Sequence, residues 1–222
     1  MSGQIGVRLK VNKTNFAEWQ TALENSFGVD KKLFSPGFEA GLDYWFRLKK
    51  KRIEFLPEVS YAMANTRYDS PAFDKVRYSA INFNFHTQVY ALDLEGDCNC
   101  PTFSKQGPSI NKGLFFHFTP GLSYFTAKAP PLVERPEFVD KVSGISFRAG
   151  IGVGLDLGIS DLITVTPMVS YYFSSAQKWD KLNTISGTAE VIYLDSSVNP
   201  SQLQFTLRFG FRPDYTKGRR RR

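Results

Sequence analysis

Residues 202–212 read QLQFTLRFGFR, a two-residue alternation without a lapse. Leu203, Phe205, Leu207, Phe209 and Phe211 fall on one face of an extended strand; Gln202, Gln204, Thr206, Arg208, Gly210 and Arg212 fall on the other. A strand with one wholly apolar face either packs that face on a core or meets an apolar solvent. The same rule recurs upstream in residues 4–12, 38–49, 53–64, 81–90, 114–124, 145–157 and 163–173. These stretches predict an all-β, eight-stranded antiparallel up-and-down barrel. With no composition break to mark a linker, the 222 residues read as one domain, 1–222, ending in a basic tail at 217–222.

Between the strands, residues 95–112, 127–141 and 174–200 read as loops from their Gly, Pro, Asn and Ser content. The first connection differs. Phe16, Trp19, Leu23 and Phe27 recur at spacings of three and four, so it is expected to carry a short amphipathic helix capped by Thr14 or Asn15. That helix either closes its own barrel as a lid or presents its apolar stripe to a partner or a membrane interface. An internal repeat supports the parsing: LPEVSY (56–61), TPGLSY (119–124) and TPMVSY (166–171) align Pro, Ser and Tyr on every second strand. Each Pro should mark a bulge or a break in strand pairing, because it has no N–H to donate.

Alternation alone does not say which face meets water. No run approaches the roughly 20 apolar residues of a membrane-crossing helix. Barrel strands, however, dilute apolar with polar residues one for one and leave little trace in hydropathy. Three features favour a transmembrane barrel, apolar outside, over a soluble barrel that binds its ligand in an apolar interior. The polar face mixes opposite charges with very small residues, Gly150, Gly152 and Gly154 among them, which suits a crowded interior and not a solvated surface. Aromatics, 15% of the chain, collect toward strand ends, where an interfacial girdle sits. The connections on one side are long, whereas two on the other are only a few residues. Outer-membrane barrels show this asymmetry with the termini and short turns periplasmic. Met1–Gly3 ahead of the first strand reads as the start of a mature chain whose precursor carried a secretion signal.

The alternating strands, their even count and the loop asymmetry resemble the small outer-membrane β-barrels of the OmpX/OmpA type. FEAGLDYWFRLKKKRIEFLPE (38–58) and DCNCPTFSK (97–105) resemble uncharacterised barrel proteins of Bacteroidetes outer membranes. The resemblance implies an outer-membrane location and is nearly silent on activity, since such barrels serve as structural proteins, adhesins, lipid enzymes and machine subunits.

The polar face places Arg8, Lys10, Glu39, Asp43, Arg47, Glu54, Glu58, Arg148, Asp156, Arg208 and Arg212 inside. Eight strands enclose a space that side chains fill. These residues are therefore expected to form a packed network of ion pairs, with a narrow ion path as the alternative. Cys98 and Cys100 form C-x-C in a loop on the periplasmic side, where oxidation is permitted; a strained local disulfide is expected, with redox or inter-chain pairing as alternatives. Two thiols make a weak metal site, and neither a metal nor a cofactor is expected. His86 and His117 point inward, without a recognisable Ser, His and acidic grouping.

The net charge of +7 is dispersed, apart from clusters at 49–52 and 217–222, and this excludes a nucleic-acid track. Both clusters are expected on the periplasmic side, facing anionic headgroups or an acidic partner. The functional expectation is a non-enzymatic barrel, structural or a subunit of a larger envelope assembly. Outer-membrane lipid surrounds it, and other envelope proteins contact Phe16, Trp19, Leu23 and Phe27 of the first loop and Arg219, Arg220, Arg221 and Arg222 of the tail. The alternative is a lipid-modifying barrel enzyme.

Overall fold

A computed structural model of the chain describes residues 4–27, 32–34, 36–48, 51–67, 75–93, 113–129, 141–160, 162–186 and 191–211. The alternating stretches become β1 (Gln4–Asn15), β2 (Gly37–Arg47), β3 (Ile53–Arg67), β4 (Lys75–Val89), β5 (Leu114–Lys128), β6 (Lys141–Leu155), β8 (Ile163–Ser174) and β11 (Ser201–Phe211). Each pairs antiparallel with the next, and β11 pairs with both β8 and β1, so the sheet closes into a barrel of eight staves. A two-residue strand, β7 (Leu157–Gly158), extends the β6 edge along β8. Several strands continue beyond the stretches read from the sequence, mostly at one end: β4 begins at Lys75, β6 at Lys141, and β5 runs to Lys128.

The alternation resolves with its apolar side outward. Leu9, Leu42, Val59, Phe83, Leu122 and Phe205 are each 42–61% exposed, while Arg8, Asp43, Glu58 and Arg208 are at most 4% exposed. A water-facing apolar band on every stave would defeat the hydrophobic effect that folds a soluble domain. The same band is what a barrel in lipid requires, and the fold is a transmembrane β-barrel. Among the described residues no helix is long and apolar enough to cross a membrane; strands do the crossing.

The three repeats sit at equivalent places. Their serines, Ser60, Ser123 and Ser170, face inward and are buried, while Tyr61, Tyr124 and Tyr171 stand on the outer wall. At each proline one ladder lapses without a register shift: β2–β3 opposite Leu56 and Pro57, β4–β5 opposite Thr119 and Pro120, and the β8 seam with β6 and β7 opposite Thr166 and Pro167. The missing N–H breaks pairing locally; it does not insert a bulge.

Two local readings change. β1 runs through Thr14 and Asn15, so neither caps the helix α1 (Ala17–Phe27); its first bond runs from the Gln20 N–H to the Phe16 carbonyl. The long last connection is not an irregular loop. It folds into a hairpin of β9 (Gln177–Ser186) and β10 (Val191–Val198), whose irregular alternation, with a register shift between Leu194 and Ser196, hides it from a two-residue pattern.

Candidate functional site: a charge-filled lumen beneath an aromatic lid

Parity along each strand decides which side chains share the lumen. Arg8 and Arg208 face each other across β1 and β11 and converge on Asp43 of β2: Arg8 Nε donates at 2.6 Å, and Arg208 donates through Nε at 2.8 Å and Nη2 at 2.7 Å. Lys10 donates to Glu39 at 2.7 Å and to Glu58. Glu39 also accepts from Ser60 Oγ, Asn12 Nδ2 and Gln204 Nε2, so its lone pairs are well occupied. Nearer the short-turn end, Glu54 accepts from Trp45 Nε1, Asp156 accepts from Tyr90 Oη and Thr166 Oγ1, and the same Tyr90 oxygen stands 3.1 Å from Glu54.

Charges taken this far from water must be paired and hydrogen-bonded, since the desolvation of a lone ion amounts to several kcal/mol. Among the described buried residues the count balances: Arg8, Lys10, Arg52, Arg148 and Arg208 against Glu39, Asp43, Glu54, Glu58 and Asp156. Arg148 differs from the others. Its guanidinium lies 4.3 Å from the centre of the Tyr172 ring and 3.5 Å from Gln202 Oε1, its Nε has no partner, and among the described residues no carboxylate pairs with it. An enclosed polar space of about 30 Å3 adjoins it, lined also by Asn82 and Gln177, whose side-chain oxygens lack partners. That is room for one or two waters.

The two histidines join a second set of groups. His86 Nε2 lies 2.5 Å from Glu58 and 3.1 Å from Arg8; its Nδ1 is 2.9 Å from Thr119 Oγ1. Thr119 is 3.0 Å from His117 Nδ1, and His117 Nε2 is 2.9 Å from Ser170 Oγ. Glu58, His86, Thr119, His117 and Ser170 thus form one unbroken polar chain across four staves. Tyr90, Phe115 and Met168 pack together on the short-turn side of the lumen, and Arg52 lies 4.1 Å from the centre of the Tyr90 ring. Glycine makes room for the bulk: a side chain at Gly150 would collide with the Tyr172 ring, at Gly152 with His117 and the Val169 carbonyl, and at Gly154 with Phe115 and Met168.

The other end is closed by a lid. Phe16 stacks on Trp19 with ring centres 5.4 Å apart, and Trp19 meets Trp179 of the hairpin edge to face at 5.3 Å. Phe34 and Tyr78 complete the cluster. The lumen wall beneath is Ala62, Ala64, Ala80 and Ala127, small residues that leave space for the rings. Phe16, Trp19 and Leu23 are at most 3% exposed, so of the two readings of the helix the lid holds and the partner-binding stripe does not: the stripe is consumed within the chain. The basic turn is corrected in part as well. Arg52 is buried, because the inward parity of β3 carries past Glu54 to position 52.

Other sequence candidates lie beyond what is described. Cys98, Cys100, Arg212, Arg219, Arg220, Arg221 and Arg222 fall outside the described residues, as do the side chains of Phe27 and Arg47. Sequence reading placed the histidines inside by parity but gave no sign that Thr119 and Ser170 link them. Among the described residues no group of three or more His, Cys, Asp or Glu is placed to hold a metal.

No family model and no curated protein sequence matches the chain. Solved structures do. The attachment invasion locus protein Ail of Yersinia pestis, crystallised with the heparin analogue sucrose octasulfate, aligns over 95% of this chain and 100% of its own at a TM-score of 0.50 and 10% identity. This chain has the fold of the small outer-membrane barrels. Neisserial surface protein A aligns over 93% of this chain and 95% of its own, with a TM-score of 0.44 and 10% identity.

Proposed function

We propose that the chain, as one domain spanning residues 1–222, is a non-enzymatic outer-membrane barrel that acts as a structural protein or as a subunit of a larger envelope assembly, in a membrane of the Bacteroidetes type. The observation that carries this reading is the filled lumen. Among the described residues its carboxylates each accept hydrogen bonds from buried donors, Arg148 alone standing against the Tyr172 ring, both ends are packed with aromatic side chains, and both histidines are buried. A barrel whose described lumen is filled, with its described histidines buried, works through its surfaces.

In this reading the short turns and both termini are periplasmic and the lid faces outward, with lipid around the apolar band. Contacts with other envelope proteins run through the loops and the basic tail, Arg219 to Arg222 included, and a bridge between Cys98 and Cys100 stiffens its loop. The inward Arg47 and Arg212 belong to the same ion-pair network.

Two measurements test it. An epitope placed after residue 222 should stay hidden from antibody on intact cells and become accessible once the outer membrane is opened; labelling of intact cells overturns the orientation. Purification from native membranes should yield partner subunits that are lost when residues 217–222 are deleted. Lipid turnover by the purified chain, abolished in His86→Ala or His117→Ala, would replace the proposal with an enzyme.

A further inference from the structure

On the outside of the barrel, where β1 passes into α1, a cleft of about 450 Å3 opens between the lid and the rim. Register explains its composition. Lys13 of β1 pairs with Leu203 of β11, which pairs with Tyr171 of β8, so these three side chains lie in one outward row. The next row toward the middle of the barrel is wholly apolar: Val11, Phe205 and Val169. The outward stripe of β1 is Ile5, Val7, Leu9 and Val11 and then turns to Lys13. Lys13 therefore stands where the apolar band ends. Lys32 reaches the same cleft from the segment after α1. That segment is anchored: the Phe34 N–H donates to Thr66 Oγ1 at 2.7 Å, and the Thr66 hydroxyl donates to the Lys32 carbonyl at 3.3 Å. Asn15 and Ser201 add polar atoms. Among the described residues no carboxylate lines the cleft, and none makes an ion pair with either lysine.

We infer that this cleft binds the phosphate-bearing headgroup of a membrane lipid, with its acyl chains running down over Tyr171, Leu203 and Phe205. Two features select this occupant together. Two ammonium groups without carboxylate partners among the described residues, on separate segments of which one has its backbone held to Thr66, call for a compact anion between them. The floor is continuous with the lipid-facing wall, which a soluble anion has no use for and an anionic amphiphile does. The volume falls within the range of pockets that hold a small ligand. The inference rests on the membrane reading above.

The test uses the full chain in mild detergent and native mass spectrometry, with phosphatidylglycerol, a diacyl glycolipid lacking phosphate, and inorganic phosphate as probes. Wild type should retain phosphatidylglycerol in preference to the glycolipid. Lys13→Gln combined with Lys32→Gln should lower that retention by about thirtyfold, from roughly 1 kcal/mol per lysine near an anionic group. Lys178→Gln, an exposed position on the hairpin outside the cleft, should leave it unchanged. Equal retention of the glycolipid, competition by inorganic phosphate at the lipid's own concentration, or an equal loss in Lys178→Gln each overturns the inference. A photoreactive phosphatidylglycerol gives a readout on wild type alone: cross-links should map to residues 13–15, 32–33 and 201–203, and cross-links spread around the barrel overturn the site. A chain that remains folded and dispersed without any amphiphile would instead overturn the membrane reading, which separates the two failures.

Discussion

Two buried residues of opposite sign illustrate how differently charge is handled inside the lumen. Asp43 is gripped by Arg8 and Arg208, and Asp43→Asn leaves two buried guanidinium groups facing a neutral amide. Breaking a buried pair in this way costs about 3–5 kcal/mol, so the urea midpoint of the detergent-folded protein should fall sharply. Among the described residues Arg148 has no carboxylate within ion-pair distance, only the Tyr172 face and Gln202. Arg148→Met should therefore change stability by no more than about 1 kcal/mol, or raise it, because apolar replacement of an incompletely paired buried ion is often stabilising. The same unfolding series decides whether the two variants diverge as expected. Gly152 is a steric case: a Cβ there meets a backbone carbonyl as well as His117, so the clash has no flexible way out. Gly152→Val should yield little or none of the heat-modifiable folded band on a gel, whereas Gly152→Ser should fold in lower yield.

At the level of elements, what the sequence disclosed followed from periodicity. A period of two carried through eight staves named the inward charges and histidines, and a period of three to four found α1. Where the period faltered, so did the reading. β9 and β10 sit outside the barrel sheet and pair across an irregular register, and their described buried positions mix the polar Gln177 and Ser196 with Trp179 and Val198, so no apolar alternation marks them. Whether the stripe of α1 served the chain or a partner was equally illegible, because the answer depends on Phe34, Trp179 and a ring of alanines brought from distant parts of the sequence. The polar chain through Thr119 and Ser170 depends on register between staves, which a single sequence does not state. The lid itself makes a prediction. Trp19→Ala removes the ring shared by Phe16, Trp179 and Phe125 and should destabilise the lid by about 3–5 kcal/mol. Limited proteolysis should then cut within residues 16–36 while the barrel keeps its folded gel mobility.

As a whole, the molecule is a soluble protein turned inside out: polar pairs inside, apolar wall outside. Leu122 stands on that wall near the middle of β5, with Phe83 and Phe147 beside it in register. Leu122→Arg should cost about 2–4 kcal/mol in a bilayer, and Lys13→Arg, at the edge of the band, close to nothing; unfolding from liposomes measures both. The three proline lapses also have a mechanical meaning. They fall on the β2–β3, β4–β5 and β6–β8 seams, while the ladders of β3 with β4, β5 with β6, and β8 through β11 and β1 to β2 run unbroken past the prolines. A hoop yields first at its slackest joints. Under lateral pressure this one should deform as three stiff panels hinged at those seams, becoming oval and not uniformly narrower, with amide exchange around Tyr44, Phe85 and Leu155 outpacing that of the panels between them.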